Sequence, residues 1–125
     1  MCIVRTKYRG TSEYQTAYEK LKEIARAGST IGYGEIAGIL GIKPNPHIGS
    51  IIGRIVGAMS EDEHDQGKPM ISAVVVNKNG ELAGKPGPGF CVLAEKLGKL
   101  EFGATEEEKD GFWKNELSSV YATYK

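Results

Sequence analysis

The chain has 125 residues, enough for one domain with a modest core and too few for two. With 40% hydrophobic and 26% charged residues it is neither disordered, collagen-like nor disulfide-dense. Its 16 Lys+Arg against 16 Asp+Glu give a formal net charge of zero, which excludes nucleic-acid binding by bulk attraction alone. That zero conceals a split: residues 1–60 hold 8 basic and 4 acidic side chains, and residues 61–125 hold 8 and 12. Cys2 and Cys91 have no metal-type spacing and read as reduced thiols. No apolar run approaches the roughly 18 to 20 residues of a membrane span, and the basic residues near the start have no apolar stretch behind them. The expectation is a cytoplasmic protein that avoids membranes.

In chain order, Ser12 and Gln15 form a capping box, and Tyr14, Tyr18, Leu21, Ile24 and Ala25 follow at helical spacing. The first helix is expected over residues 13–27, with Gly28 as its stop. A second, short helix fits residues 33–40, where Ile36, Ala37 and Leu40 make the apolar stripe. Asn45 and Pro46 suit the cap and first position of a third helix. In that helix Ile48, Ile51, Ile52, Ile55, Val56 and Met59 give the strongest periodicity in the chain. Its other face, His47, Gly49, Ser50, Gly53, Arg54 and Gly57, is polar and small. Gly inside a helix costs about 0.5–1 kcal/mol relative to Ala, so three of them imply that something approaches the backbone closely, either a ligand or another helix.

Residues 60–68 read as an acidic loop, and 70–76 as a buried strand. Asn77, Lys78, Asn79 and Gly80 supply a hairpin turn into Glu81, Leu82 and Ala83. Residues 84–89, rich in Gly and Pro, form an extended loop. A fourth helix over residues 90–97 directs Phe90, Leu93, Ala94 and Leu97 inward. A second capping box, Thr105 with Glu108, opens a last helix to Tyr124, with Phe112, Trp113, Leu117, Val120 and Tyr121 as its apolar side. Three helices followed by a hairpin is the order of a winged helix-turn-helix, whose third helix enters the major groove. The expected fold is therefore α+β: a single domain over residues 1–125, with a three-helix core, a β-hairpin wing and additional C-terminal helices.

Two patterns carry a family resemblance: Gly32-Tyr33-Gly34-Glu35-Ile36-Ala37, and Val75-Val76-Asn77-Lys78-Asn79-Gly80 with a glycine-rich loop and an apolar helix behind it. In this order they resemble the DNA-binding domain of the O-alkylguanine-DNA alkyltransferases and their non-catalytic relatives, the alkyltransferase-like proteins. The resemblance covers residues 14–98 and leaves out the last helix. It implies that Tyr33 contacts the phosphate beside an extruded nucleotide. Ser50-Ile51-Ile52-Gly53 aligns with the family's Arg-Ala-Val-Gly, so Ser50 stands where the family inserts an arginine into the base stack; His47 or Arg54, a turn to either side, is a candidate substitute. Ser72 stands at the acceptor cysteine, Ala73 at its histidine partner and Val74 at the following arginine. Alkyl transfer needs an activated thiolate, so the resemblance implies a reader of damaged or extruded bases, associated with DNA repair, without catalysis. The acidic insert around residues 61–67, if beside the binding face, would oppose DNA.

The candidate DNA contacts are Tyr33, Lys43, Asn45, His47, Ser50, Arg54 and Lys78. The candidate base or ligand pocket is formed by Tyr33, Ser72, Lys85, Pro86 and Gly87. No cofactor and no metal are expected, because His64 in its acidic stretch lacks a second histidine nearby. The expected partner is double-stranded DNA, bound weakly and with strong salt dependence. The alternative is a protein partner or a second copy of the chain, docked on a scaffold that has lost its nucleic-acid role, with Phe112, Trp113, Tyr121 and Tyr124 as adhesive surface. A third reading is a thiol enzyme using Cys91, whose position in the first turn of a helix can lower a thiol pKa.

Overall fold

The structure, a computed structural model, describes residues 8–43, 45–78 and 83–124. It is mixed and mostly helical: α1 (Ser12–Arg26), β1 (Ile31–Gly32), α2 (Tyr33–Ile39), α3 (Ile48–Asp65), β2 (Val75–Val76), α4 (Pro88–Lys96) and α5 (Glu106–Thr123). The two strands form one small parallel sheet, with Ile31 opposite Val75 and Gly32 opposite Val76. The architecture is α+β, with Leu21, Ile36, Ile52, Ile55, Met59, Ile71 and Val120 among the side chains closed off from solvent at its centre.

α1 forms because Ala17, Leu21 and Ala25 recur at every fourth position and bury one stripe. Its cap is Thr11 rather than the expected Ser12: Thr11 Oγ1 accepts from the Tyr14 amide at 3.3 Å. It ends at Gly28, whose φ of +64° lets its N–H reach Ala25 O and the Ser29 N–H reach Ile24 O. α2 is held at its start by Glu35, whose Oε1 accepts from the Gly32 amide at 3.2 Å. α4 begins at Pro88, two residues earlier than its apolar pattern implies, because proline suits a first helical turn. α5 carries the expected capping box of Thr105 and Glu108.

Three expectations are corrected. First, the acidic stretch is not a loop. α3 starts at Ile48, behind His47 as its cap, and continues through Asp65. It then closes on Gly67 at φ +76°, with Gly67 N–H to His64 O and Lys68 N–H to Glu63 O. Glu61 and Glu63 are 4% and 2% exposed. The Arg9 guanidinium binds Glu61 and Asp62, the Tyr14 hydroxyl donates to Asp62, and the Tyr18 and Tyr124 hydroxyls donate to Glu63. These partners come from the segment before α1, from α1 itself and from the end of α5, so the carboxylates are satisfied only once the fold is complete.

Second, the strand expected over residues 70–76 is reduced to Val75–Val76, preceded by a 3-10 turn, Ile71–Val74. β1 is two residues long and cannot pair with more. Side chains bind the backbone instead: Glu116 accepts from the Met70 amide, Ser60 accepts from the Ser72 amide, and the Trp113 indole N–H donates to Ala73 O. Third, the partner of β2 is β1, and among the described residues the expected hairpin is reduced to Asn77, which bridges Ala83 and is hydrogen-bonded to Gly84 and Lys85. Asn79, Gly80, Glu81 and Leu82, which would carry the hairpin turn and its return, lie outside the described residues, as do Cys2 and Pro44.

Candidate functional site

The sheet register builds the site. Where Gly32 meets Val76, the chain of β1 turns into α2 at Tyr33 and that of β2 continues into Asn77 and Lys78, so these residues emerge side by side. The Lys78 stem crosses Gly32 so closely that a Cβ there would lie 2.7 Å from Lys78 Cγ. Its ammonium rests 3.4 Å from Glu35 Oε1. Asn77 then ties the following segment down: its amide and its side-chain Nδ2 both donate to Lys85 O, and Asn77 O accepts from Gly84 N–H. That places Gly87 beneath Tyr33, and the Gly87 amide donates to the Tyr33 hydroxyl at 3.0 Å.

A cavity of about 900 Å³ opens between these elements, α3 and α4. α3 gives it Gly49, Ser50, Gly53, Arg54, Val56 and Gly57; the α2 side gives Tyr33, Gly34 and Glu35; Gly87 and α4 give Phe90, Val92, Leu93 and Lys96; Ser72, Asn77 and Lys78 complete it. The buried members are mostly apolar, Val56, Phe90 and Leu93, whereas Glu35, Arg54, Lys78 and Lys96 are exposed and mark its mouth. A Cβ built on Gly49 or Gly53 meets nothing within 4 Å. Among the described residues nothing comes that close to these two glycines, and both line the cavity.

Two hydroxyls line the interior. Ser72 is 6% exposed, and its Oγ accepts from Ser60 Oγ at 2.6 Å, while Ser60 Oγ accepts from the Ser72 amide at 2.9 Å. A serine that receives a hydrogen bond from another serine, with no base beside it, is a poor nucleophile and a good donor. The second is Tyr33: its oxygen accepts from Gly87, no acceptor for its proton is found among the described residues, and burial pushes the phenol above its ordinary pKa despite the opposing effect of the Gly87 amide.

Of the candidate DNA contacts, Tyr33, Ser50, Arg54 and Lys78 line the cavity. Lys43, Asn45 and His47 are exposed on the turn before α3, where Asn45 Oδ1 accepts from the His47 amide at 2.8 Å. Of the candidate pocket residues, Tyr33, Ser72 and Gly87 line the cavity, whereas Lys85 and Pro86 do not. Lys85 is turned to Asp110 of α5, 3.2 Å away. The α4 side of the cavity, Val92 and Lys96, was missed by sequence reasoning, although both lie at helical spacing from the Gly-Pro loop. Cys91 is half-buried on α4; burial pushes its thiol up, more than Lys109 pulls it down, which opposes the thiolate that a thiol enzyme needs. His64 sits partly buried in the last turn of α3.

No family model matches the chain, and no curated protein and no solved structure matches it. Among the described residues, no helix is long and apolar enough to cross a membrane.

Proposed function

We propose that the protein is a non-catalytic DNA-binding protein of the alkyltransferase-like type, which holds an extruded or modified base in the cavity behind Tyr33. The observation that carries this reading is the glycine wall of α3. A helix that forgoes side chains at Gly49 and Gly53 gives up stability, about 0.5–1 kcal/mol at each, and among the described residues nothing lies within 4 Å of the Cβ positions gained. The wall lies next to the exposed start of α3, where Asn45, His47, Ser50 and Arg54 face solvent. The order α1, α2, α3 and then the Asn77–Lys78 turn supports a winged helix-turn-helix, with α3 as the recognition helix. The acidic stretch lies at the opposite end of α3, with Glu61 and Glu63 turned inward, so it does not oppose DNA at the cavity.

Catalysis is no part of this reading, because Ser72 has neither a thiol nor a base at hand. The test is fluorescence anisotropy with labelled duplexes, with and without an O-alkylated guanine, for the wild type and Gly53→Leu. A Cβ at this position meets nothing within 4 Å, so the side chain starts into open space, and a thermal transition measured alongside checks that the variant is folded. The expected result is tighter binding of the modified duplex by the wild type, with that preference lost in the variant. Equal and negligible binding of both duplexes at low salt would overturn the reading.

A further inference from the structure

At the mouth of the cavity the cations are not equivalent. Lys78 is held by Glu35 at 3.4 Å. Arg54 on α3 and Lys96 on α4 are exposed and, among the described residues, have no carboxylate partner. They stand on the two helices that bound the cavity, so an anion at the mouth meets a free charge from each side, and a guanidinium is well shaped to bind phosphate through two parallel hydrogen bonds. Deeper in, Val56, Phe90 and Leu93 supply an apolar surround, and the Ser72 and Tyr33 hydroxyls line the same space as polar groups. A volume of about 900 Å³ is that of a small-molecule site.

One chemical class meets this pattern: a planar heterocycle with acceptor atoms, joined through a sugar to a single phosphate. The chain's net charge of zero does not oppose one phosphate held by two local cations. We propose that the cavity binds free nucleoside 5′-monophosphates as ligands in their own right, with Arg54 and Lys96 on the phosphate and the base against Ser72 and Tyr33. The proposal rests on the preceding reading only in placing a base in the cavity.

Isothermal titration with AMP, GMP, CMP and UMP, with their nucleosides and with inorganic phosphate tests it. At least one nucleotide is expected to bind saturably, ten-fold or more tighter than its nucleoside and than phosphate. The double variant R54Q/K96Q should reduce that nucleotide to the level of the nucleoside. Gly53→Leu should abolish binding while its thermal transition stays at or above that of the wild type. Absence of saturable nucleotide binding at millimolar concentration would overturn the proposal, as would binding that both variants leave undiminished. An anisotropy titration of the same preparations with duplex separates the two readings: duplex bound without nucleotide defeats this proposal alone, and nucleotide bound without duplex defeats the DNA-binding one alone. A 5′-phosphorylated single strand, added as competitor, tells whether the terminal nucleotide of a chain enters as readily as a free one.

Discussion

The Tyr33 hydroxyl has two tasks that one substitution removes together. It accepts the Gly87 amide at 3.0 Å and has a proton to offer to the cavity. In Tyr33→Phe the Gly87 N–H loses its partner, a cost of about 1 kcal/mol, and the loop leading into α4 is released. The expected outcome is a thermal transition lowered by about 3–5 °C, together with faster hydrogen exchange at Gly87 and Phe90 by NMR. Ser72→Ala separates the tasks, because it leaves Ser60 Oγ without its acceptor but does not touch the loop. Its exchange rates at Gly87 should match the wild type while ligand affinity falls. At the other end of α3, Glu63 is 2% exposed and accepts from Tyr18 and Tyr124. Replacing it with Ala strands two phenols that a charged acceptor had satisfied. Urea denaturation should show a loss of about 2 kcal/mol or more.

Among the elements, α3 shows best what the sequence could and could not disclose. Its isoleucine stripe and its glycine face are local patterns and were legible, whereas the expectation that something approaches the backbone closely there is not met among the described residues, where a Cβ on Gly49 or Gly53 finds nothing within 4 Å. Its last turns were not legible, because Glu61-Asp62-Glu63-His64-Asp65 reads as solvated chain unless the distant Arg9, Tyr14, Tyr18 and Tyr124 are known to meet it. The same holds for Ile71–Val74, whose unbroken apolar run looks like a strand. The side chains that take its backbone groups, Ser60, Trp113 and Glu116, lie 12 to 46 residues away. The pocket was partly legible, through Tyr33, Ser72 and the glycine-rich loop, but the contribution of α4 required the α3–α4 packing to be seen. The glycine face also gives a stability prediction. Since a Cβ at Gly53 meets nothing within 4 Å, Gly53→Ala should raise stability by about 0.5–1 kcal/mol in a denaturant titration. Gly32→Ala should not, because its Cβ would displace the Lys78 stem at 2.7 Å.

For the molecule as a whole, the zero net charge is a partition rather than a balance. Many of the carboxylates of the second half are held internally: Glu61 and Asp62 by Arg9, Glu63 by two tyrosines, Glu116 by Lys99, Asp110 by Lys85. The aromatic side chains of α5 are likewise occupied. Phe112 packs on Phe90, Trp113 bonds Ala73 O and Tyr121 bonds Ser29 O. The phenols make this integration sensitive to alkali. Burial and the adjacent carboxylates Asp62 and Glu63 push Tyr14 and Tyr124 above their ordinary pKa, so the folded state favours the protonated forms. A group raised in this way stabilises the fold fully below its unfolded pKa, about 10 for tyrosine, and loses that contribution as pH climbs toward the folded value. The urea midpoint should therefore fall steadily above about pH 10. Tyr124→Phe, with no proton to lose at this position, should start from a lower midpoint at neutral pH and decline less steeply. Parallel curves for the two proteins would show that the tie between the end of α5 and α3 contributes nothing to the alkaline limit of the fold.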